Sequence, residues 1–529
     1  MIDVLLKDSL SEKLTDQHPI TTWDQFTLAY DINEALHNLP FDGIVSLSHL
    51  PNVTLHDYQL DACKRVLFEL NGSALLADEV GLGKTIEAGL ILKEYMHRNI
   101  VKKVLILCPA SLVSQWGEEL RTKFLLPAYE KRKGVDWETY DIIISSMELA
   151  KREPNREAIL AINYDMIIID EAHKLKNHQS RNHQFVQQLK KKFCLLLTAT
   201  PMQNKVKELI HLVSILRPGL LSASHEKSLT DDQMKALVKS VMIRTRRKDT
   251  SIEWPKRIVS TTLIDFSPEE TQVYEKLDDL QAVNSLLSLT LRREWCSSKF
   301  AALTTMVKAL KEEKLEDTGD LQELLAAMQQ VDHHAKAKEV LNQIKSWGSD
   351  KVLIFTEYRA TQLYLQAFLT QAGYICVPFR GGFKRGKKEW MKQVFKDRAQ
   401  IMIATEAGNE GVNLQFCNRL INYDLPWNPM RIEQRIGRLH RHGQSKDVTV
   451  VHVAVKETIE DHLLSLLYKK IGLFEGVVGE VDTILEDVAR TDIESYMTQT
   501  FTKKRSTSEI KLRLEHLSHL LEEERHDAN

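Results

Sequence analysis

LLADEVGLGKTIEAGLIL, residues 75–92, decides how the rest of the chain is read. An apolar run from Ala74 to Ala77 ends in a loop that holds Gly81 and Gly83, followed by Lys84 and Thr85. Beyond them Ile86, Leu90 and Ile91 recur at the spacing of helical turns. Strand, glycine loop, Lys-Thr and helix are the parts of a phosphate-binding P-loop. The glycines let the backbone turn tightly and aim N–H groups at phosphate oxygens, beside the positive end of a helix. In that geometry Lys84 reaches the β- and γ-phosphates and Thr85 holds Mg²⁺. Asp78 stands where the pattern usually has its first glycine, so the loop alone does not settle the matter.

The neighbouring chain supplies the rest. After the P-loop helix come strands at 103–109, 140–145, 164–170 and 194–200, with a helix at 111–120. Short β-rich runs separated by helical patterns predict a doubly wound parallel sheet, whose strand ends form the ligand crevice. Asp170 and Glu171 fall at one strand end and Thr198-Ala199-Thr200 at another. A carboxylate after an apolar strand is placed to share Mg²⁺ with Thr85, which leaves Glu171 as the general base for the attacking water. The rival reading, an acidic pair at the start of a helix, loses force beside a P-loop. His173 is read as a coupling or packing residue, because no second metal ligand lies four residues on. Upstream, residues 55–70 read as a helix, and Gln59 near its start carries an amide that can pair with an adenine edge.

A second alternation begins at residue 350 and runs through strands near 374–379, 399–407 and 419–426. It predicts a second doubly wound sheet that closes a nucleotide cleft with the first. QRIGRLHRHGQ, residues 434–444, repeats Arg435, Arg438 and Arg441 every third position, which predicts one helical face of guanidinium groups for a transferring phosphoryl. Between the sheets, residues 268–347 read as helical, with Leu277, Leu280, Val283, Leu286, Leu287 and Leu291 in helical register. Arg244, Arg246, Arg247 and Lys248 form a basic cluster that either touches phosphate backbone or lines a solvated hinge. The loop GGFKRGKK, 381–388, offers Lys384, Arg385, Lys387 and Lys388 to a DNA backbone.

DEVGLGKT, DEAHKLKN and TATPMQN, in this order, resemble motifs I, II and III of superfamily-two helicases, specifically the Swi/Snf-type ATPases. Residues 216–219 resemble the family's segment closing the first lobe, 404–429 its motif V with extension, and 434–444 its motif VI. Together with GLGKTIEAG, the run LQFCNRLINYDLPWNPMRIEQRIGRLHR points within the family to the bacterial and archaeal RapA/HepA-like group. The resemblance implies an α/β fold of two tandem RecA-like lobes, with a helical protrusion in the second and a helical C-terminus. The expected divisions are a small N-terminal segment (1–54), lobe 1 (55–250), lobe 2 (256–480) with the protrusion at about 268–347, and a helical region (481–529). The resemblance assigns ATP to Gln59, Asp78, Gly81, Gly83, Lys84, Thr85 and Gly411, and Mg²⁺ to Thr85 and Asp170. It assigns catalysis to Lys84, Glu171, Arg438 and Arg441, leaving Arg435 open, and nucleic acid to Arg247, Lys384, Arg385, Thr405 and Trp427. The implied partners are double-stranded DNA and RNA polymerase or another DNA-bound complex. The short leading segment argues against a separate polymerase-contact domain. A strand-separating helicase and an ATP-gated recruitment module stay open as rival functions.

The totals agree with such an enzyme and narrow where it works. The 529 residues are 43% hydrophobic and carry a net charge of −2, so any DNA-binding surface is a local patch. Six scattered cysteines without a CxxC pair exclude a zinc ribbon and a disulfide framework and fit a reducing cytoplasm. Neither a signal peptide nor an apolar run of membrane-spanning length is present, and a cytoplasmic monomer is expected.

Overall fold

The computed structural model describes residues 27, 43–79, 81–175, 180–198, 206–218, 233, 237, 240–279, 285–315, 318–383, 385–405, 412–427 and 429–465. Residues 1–48 form one unit and residues 49–529 another. In the first unit, Ser48 Oγ donates to the Val45 carbonyl at 3.1 Å. The second unit holds both sheets and the candidate site.

Two parallel sheets organise it. The first has the order β3-β4-β2-β5-β6-β1-β7 and the second β10-β11-β9-β12-β13-β8. The first comprises β1 (Ser73–Leu76), β2 (Val104–Cys108), β3 (Ala128–Glu130), β4 (Ile142–Ser146), β5 (Tyr164–Asp170), β6 (Lys191–Leu197) and β7 (Met242–Ile243). The runs VLILC and IIIS are buried along their whole length or nearly so, as strands covered on both faces must be. Register brings the functional ends level. Leu76 of β1 and Asp170 of β5 both pair with Leu197 of β6, and Thr198 N donates to Leu76 O at 3.0 Å. Strand β6 spans Lys191–Leu197, and the expected strand residues 199 and 200 lie outside the described residues.

The second sheet comprises β8 (Arg257–Ile264), β9 (Val352–Thr356), β10 (Cys376–Phe379), β11 (Ile401–Thr405), β12 (Arg419–Asn422) and β13 (Val448–Val455). Among the described residues between β8 and β9 lie five helices, Pro268–Asp279, Ser285–Ser297, Lys299–Lys311, Gly319–Gln330 and Ala335–Ser346. Most of them share a hydrophobic core of their own around Val273, Leu291, Trp295, Met306 and Leu324. Of the leucine register expected to run from 277 to 291, Leu277 lies in the first of these helices and Leu286, Leu287 and Leu291 lie in the second. Residues 280–284, which carry Leu280 and Val283, lie outside the described residues. The basic stretch 381–388 is only partly a loop, since the helix Arg385–Asp397 starts inside it. Among the described residues no helix is long and apolar enough to cross a membrane. The expected helices beyond 465 lie outside the described residues.

Candidate active site between the two lobes

The P-loop leaves β1 through Asp78 and Glu79 and enters the helix Lys84–His97 at Gly83. Gly81 and Gly83 have φ of +92° and +93°, where side chains are strained. Space forbids a side chain as well. A Cβ on Gly81 would lie 2.8 Å from Arg441 Cβ, and one on Gly83 would lie 2.8 Å from the Gln59 amide nitrogen. The loop is held from the helix Asp57–Phe68, where Tyr58 Oη donates to Leu82 O at 2.6 Å and Gln59 Nε2 to the same carbonyl at 3.0 Å. Gln59 Oε1 accepts from His56 N at 3.1 Å, so both ends of the amide are engaged. Gln59 lines an inter-lobe cavity and braces the P-loop. Lys84 Nζ donates to Asp78 O at 2.6 Å and Glu79 O at 3.2 Å. Asp78 is fully buried, and its Oδ1 accepts from Thr245 N at 2.7 Å. The acid at the unusual position thus ties the P-loop to the strand edge beside it.

Asp170 and Glu171 turn out of β5. Glu171 takes φ of +54°, a backbone position uncommon for a residue with a side chain and found at strained functional turns. Asp170 Oδ1 accepts from Glu171 N at 2.8 Å, and Oδ2 accepts from the Trp116 indole at 2.9 Å. Burial and the neighbouring Glu171 charge push the Asp170 carboxyl up. Burial also works upward on Glu171, but His173, Arg438 and Lys84 outweigh it and hold that carboxyl below its ordinary range. His173 Nδ1 lies 3.1 Å from Glu171 Oε2. Glu171 is therefore an ionised carboxylate near Lys84 and Arg438.

The second lobe brings Arg435 near the end of the helix Pro429–Ile436 and Arg438 and Arg441 on the segment that follows it. Because the helix ends there, Arg435, Arg438 and Arg441 do not share one helical face, which corrects the spacing argument. Arg435 is core: its Nη1 donates to Asn422 Oδ1 at 3.0 Å and to Asp424 O at 2.7 Å, and it lies over Phe355. Arg441 stands against Gly81, and burial together with Arg438 pulls its guanidinium down to about 10, still charged at neutral pH. His442 N donates to Gly81 O at 3.4 Å. A cavity of 330 Å³ opens here between the lobes, walled by Gln59, Gly81, Gly83 and Thr85 on one side and Gln415, Arg441 and His442 on the other. A second cavity, of 300 Å³, is walled by Ser111, Asp170, Glu171 and Asn182 of lobe 1 and by Gly381, Phe383 and Lys388 of lobe 2.

Three of the residues expected at nucleic acid are buried. Arg247 is buried and paired with Glu79 and His440, because it sits where the lobes meet. Trp427 is 9% exposed in the lobe 2 core, with the Arg293 guanidinium 4.4 Å from its ring. Thr405 is buried at the end of β11, opposite Thr356. Lys384, Gly411 and the motif III residues 199–204 lie outside the described residues, and Arg385 is placed only as the first residue of its helix. Trp116, Tyr58 and Thr245 were missed by sequence reasoning. A buried indole does demand an acceptor for its N–H, but nothing local names one 54 residues away.

A P-loop and a carboxylate pair at the strand ends of one sheet, faced by arginines from a second, define a helicase-like nucleoside triphosphatase. The profile of the SNF2-related domain matches residues 58–330, and that of the helicase conserved C-terminal domain matches residues 335–443. An uncharacterized ATP-dependent helicase of Bacillus subtilis (strain 168), YqhH, is 48% identical across 98% of this chain and 96% of its own length. The RNA polymerase-associated protein RapA of Proteus mirabilis (strain HI4320) is 26% identical, covering 90% of this chain and 56% of its own length. A solved Sulfolobus solfataricus SWI2/SNF2 ATPase core in complex with dsDNA is 23% identical, at a TM-score of 0.39 over 84% of this chain and 97% of that one. The chain belongs to the SNF2-related, Swi/Snf-type family of superfamily-two helicase-like ATPases. It is an ATP hydrolase of that family.

Proposed function

We propose that the chain is a DNA-stimulated ATPase that moves along double-stranded DNA and remodels or displaces protein bound there, without strong strand separation. The observation that carries this reading is that both inter-lobe cavities are walled by both lobes. Closing the lobes on ATP would then draw the lobe 2 segment that carries Lys388 against the Asp170–Glu171 pair, with which it walls the second cavity. That is the coupling a motor needs.

In this reading the P-loop and Lys84 hold the triphosphate. Glu171 orients and deprotonates the attacking water, and Arg438 and Arg441 offset the charge that develops on the transferring phosphoryl, an effect of roughly 10³–10⁵ in rate for such arginines. Asp170 and the Thr85 hydroxyl fit Mg²⁺, which takes few protein oxygens and completes its shell with water and phosphate. Magnesium held there would supply positive charge against the phosphates. The Lys387 and Lys388 ammonium groups, each near an aromatic ring in the 379–383 stretch, are the placed cations for a phosphate backbone.

The deciding experiment is the ATPase rate against duplex DNA, single-stranded DNA and RNA at stated salt, with a displacement assay on a tailed duplex beside it. Duplex-specific stimulation without displacement is expected. Efficient unwinding would make the chain a strand-separating helicase, and a rate indifferent to every nucleic acid would leave an ATP-gated recruitment module.

A further inference from the structure

Arg247 occupies the junction of three functional segments. Its backbone N–H donates to Glu79 Oε2 at 2.8 Å, and its Nε lies 3.2 Å from Glu79 Oε1, inside the P-loop. From the same guanidinium, Nη1 meets His440 Nδ1 at 2.7 Å and Nη2 donates to the His440 carbonyl at 3.0 Å. His440 stands between Arg438 and Arg441 in the chain. Its other ring nitrogen meets Pro255 O at 2.8 Å; a carbonyl can only accept, so Nε2 carries the proton and Nδ1 presents a lone pair to Arg247. Trp254 covers the junction, its ring centroid 4.8 Å from the Arg247 guanidinium carbon. The pair is 6% and 11% exposed, so solvent does not screen it.

We propose that Arg247 is a positioning residue for hydrolysis, a strut that sets Arg438 and Arg441 relative to the P-loop. A planar fork suits this task because one side chain engages a carboxylate, an imidazole and a carbonyl at fixed angles, which an ammonium cannot do. Burial and the Arg247 charge hold His440 neutral, keeping its lone pair free to accept. Displacing catalytic groups by about 1 Å costs on the order of 100-fold in rate.

The test uses the full chain and compares Arg247→Lys and Arg247→Met with His440→Ala and with the double variant Arg247→Met/His440→Ala. Expected are a fall in kcat of about 10- to 100-fold in each single variant, unchanged affinity for a fluorescent ATP analogue, and weakened trapping of ADP–aluminium fluoride. The double variant should lose little more than either single one, because the two residues act as one unit. His440→Asn, which keeps an acceptor at the Nδ1 position, should recover part of the rate. Should the Arg247 variants not fold, the His440 variants carry the same expectations alone. Retained kcat, losses that multiply in the double variant, or lost duplex affinity with intact kcat would each overturn the strut, the last by returning Arg247 to the DNA.

Discussion

Replacing Trp116 by Phe should weaken the enzyme's hold on magnesium while leaving its nucleotide cavity in place. The indole donates one hydrogen bond, 2.9 Å to Asp170 Oδ2, and the side chain is 1% exposed. Phenylalanine keeps an aromatic body in the same core position but has no N–H. A hydrogen bond to a charged group contributes about 1.5–3 kcal/mol, and loss of a group that orients a metal ligand typically costs 10- to 100-fold in metal affinity. The two figures agree, since 1.4 kcal/mol is about tenfold. The assay is ATPase rate against Mg²⁺ at fixed ATP, with a thermal melt to register the packing change separately. The half-saturating Mg²⁺ concentration should rise about 10- to 100-fold, while kcat at saturating Mg²⁺ falls much less. An unchanged Mg²⁺ dependence in a folded variant would refute the assignment of Asp170 as the carboxylate that holds the ion.

Three further outcomes follow from the geometry. Glu171→Gln keeps the side-chain shape but removes the base; turnover should drop by about 10²–10⁴ with ATP binding retained, and an unchanged kcat would move the base elsewhere. Gly89→Ala should destabilise the first lobe by about 1–3 kcal/mol in a urea melt, despite a gain in helix propensity of about 1 kcal/mol, because the new Cβ would lie 2.3 Å from Phe124 Cε2; a more stable variant would show that Phe124 can yield. His440, pulled down to about 4 by burial and by Arg247, contributes stability that is full above the unfolded value and is lost as pH falls from about 6.5 toward 4. The stability advantage of the wild type over His440→Gln should therefore shrink by about 1.4 kcal/mol for each pH unit in that window. The difference is the quantity to measure, because Glu294 and Glu460, pushed up to about 7 chiefly by burial, stabilise the fold as pH falls and oppose the histidine. Parallel pH profiles for the two proteins would remove His440 from the buried junction.

What could be read in the sequence is what a short stretch determines by itself. Glycines, an apolar strand and an acid at its end are local signals, so the P-loop and the Asp170–Glu171 strand end are legible in the sequence. Charge clusters are local only in appearance. Arg247 reads as one more cation in TRRKD, yet its partners lie 168 and 193 residues away, and a count of charges cannot distinguish a buried fork from a solvated patch. The arginines 435, 438 and 441 fail the helical spacing rule for a related reason: the helix stops at Ile436, so the first is turned into the sheet core and the other two toward the cleft. Trp427 falls within a recognisable motif, but a motif fixes position along the chain and not direction, and the ring faces inward under Arg293 from the protrusion. Arg293 also reaches Glu357 and the Leu425 carbonyl, so it joins the helical insertion to two strand ends of lobe 2. The residues that sequence reasoning misplaced are thus the ones that connect one segment to another. In an ATPase whose cavities are walled by residues of both lobes, those connections decide how the two halves meet.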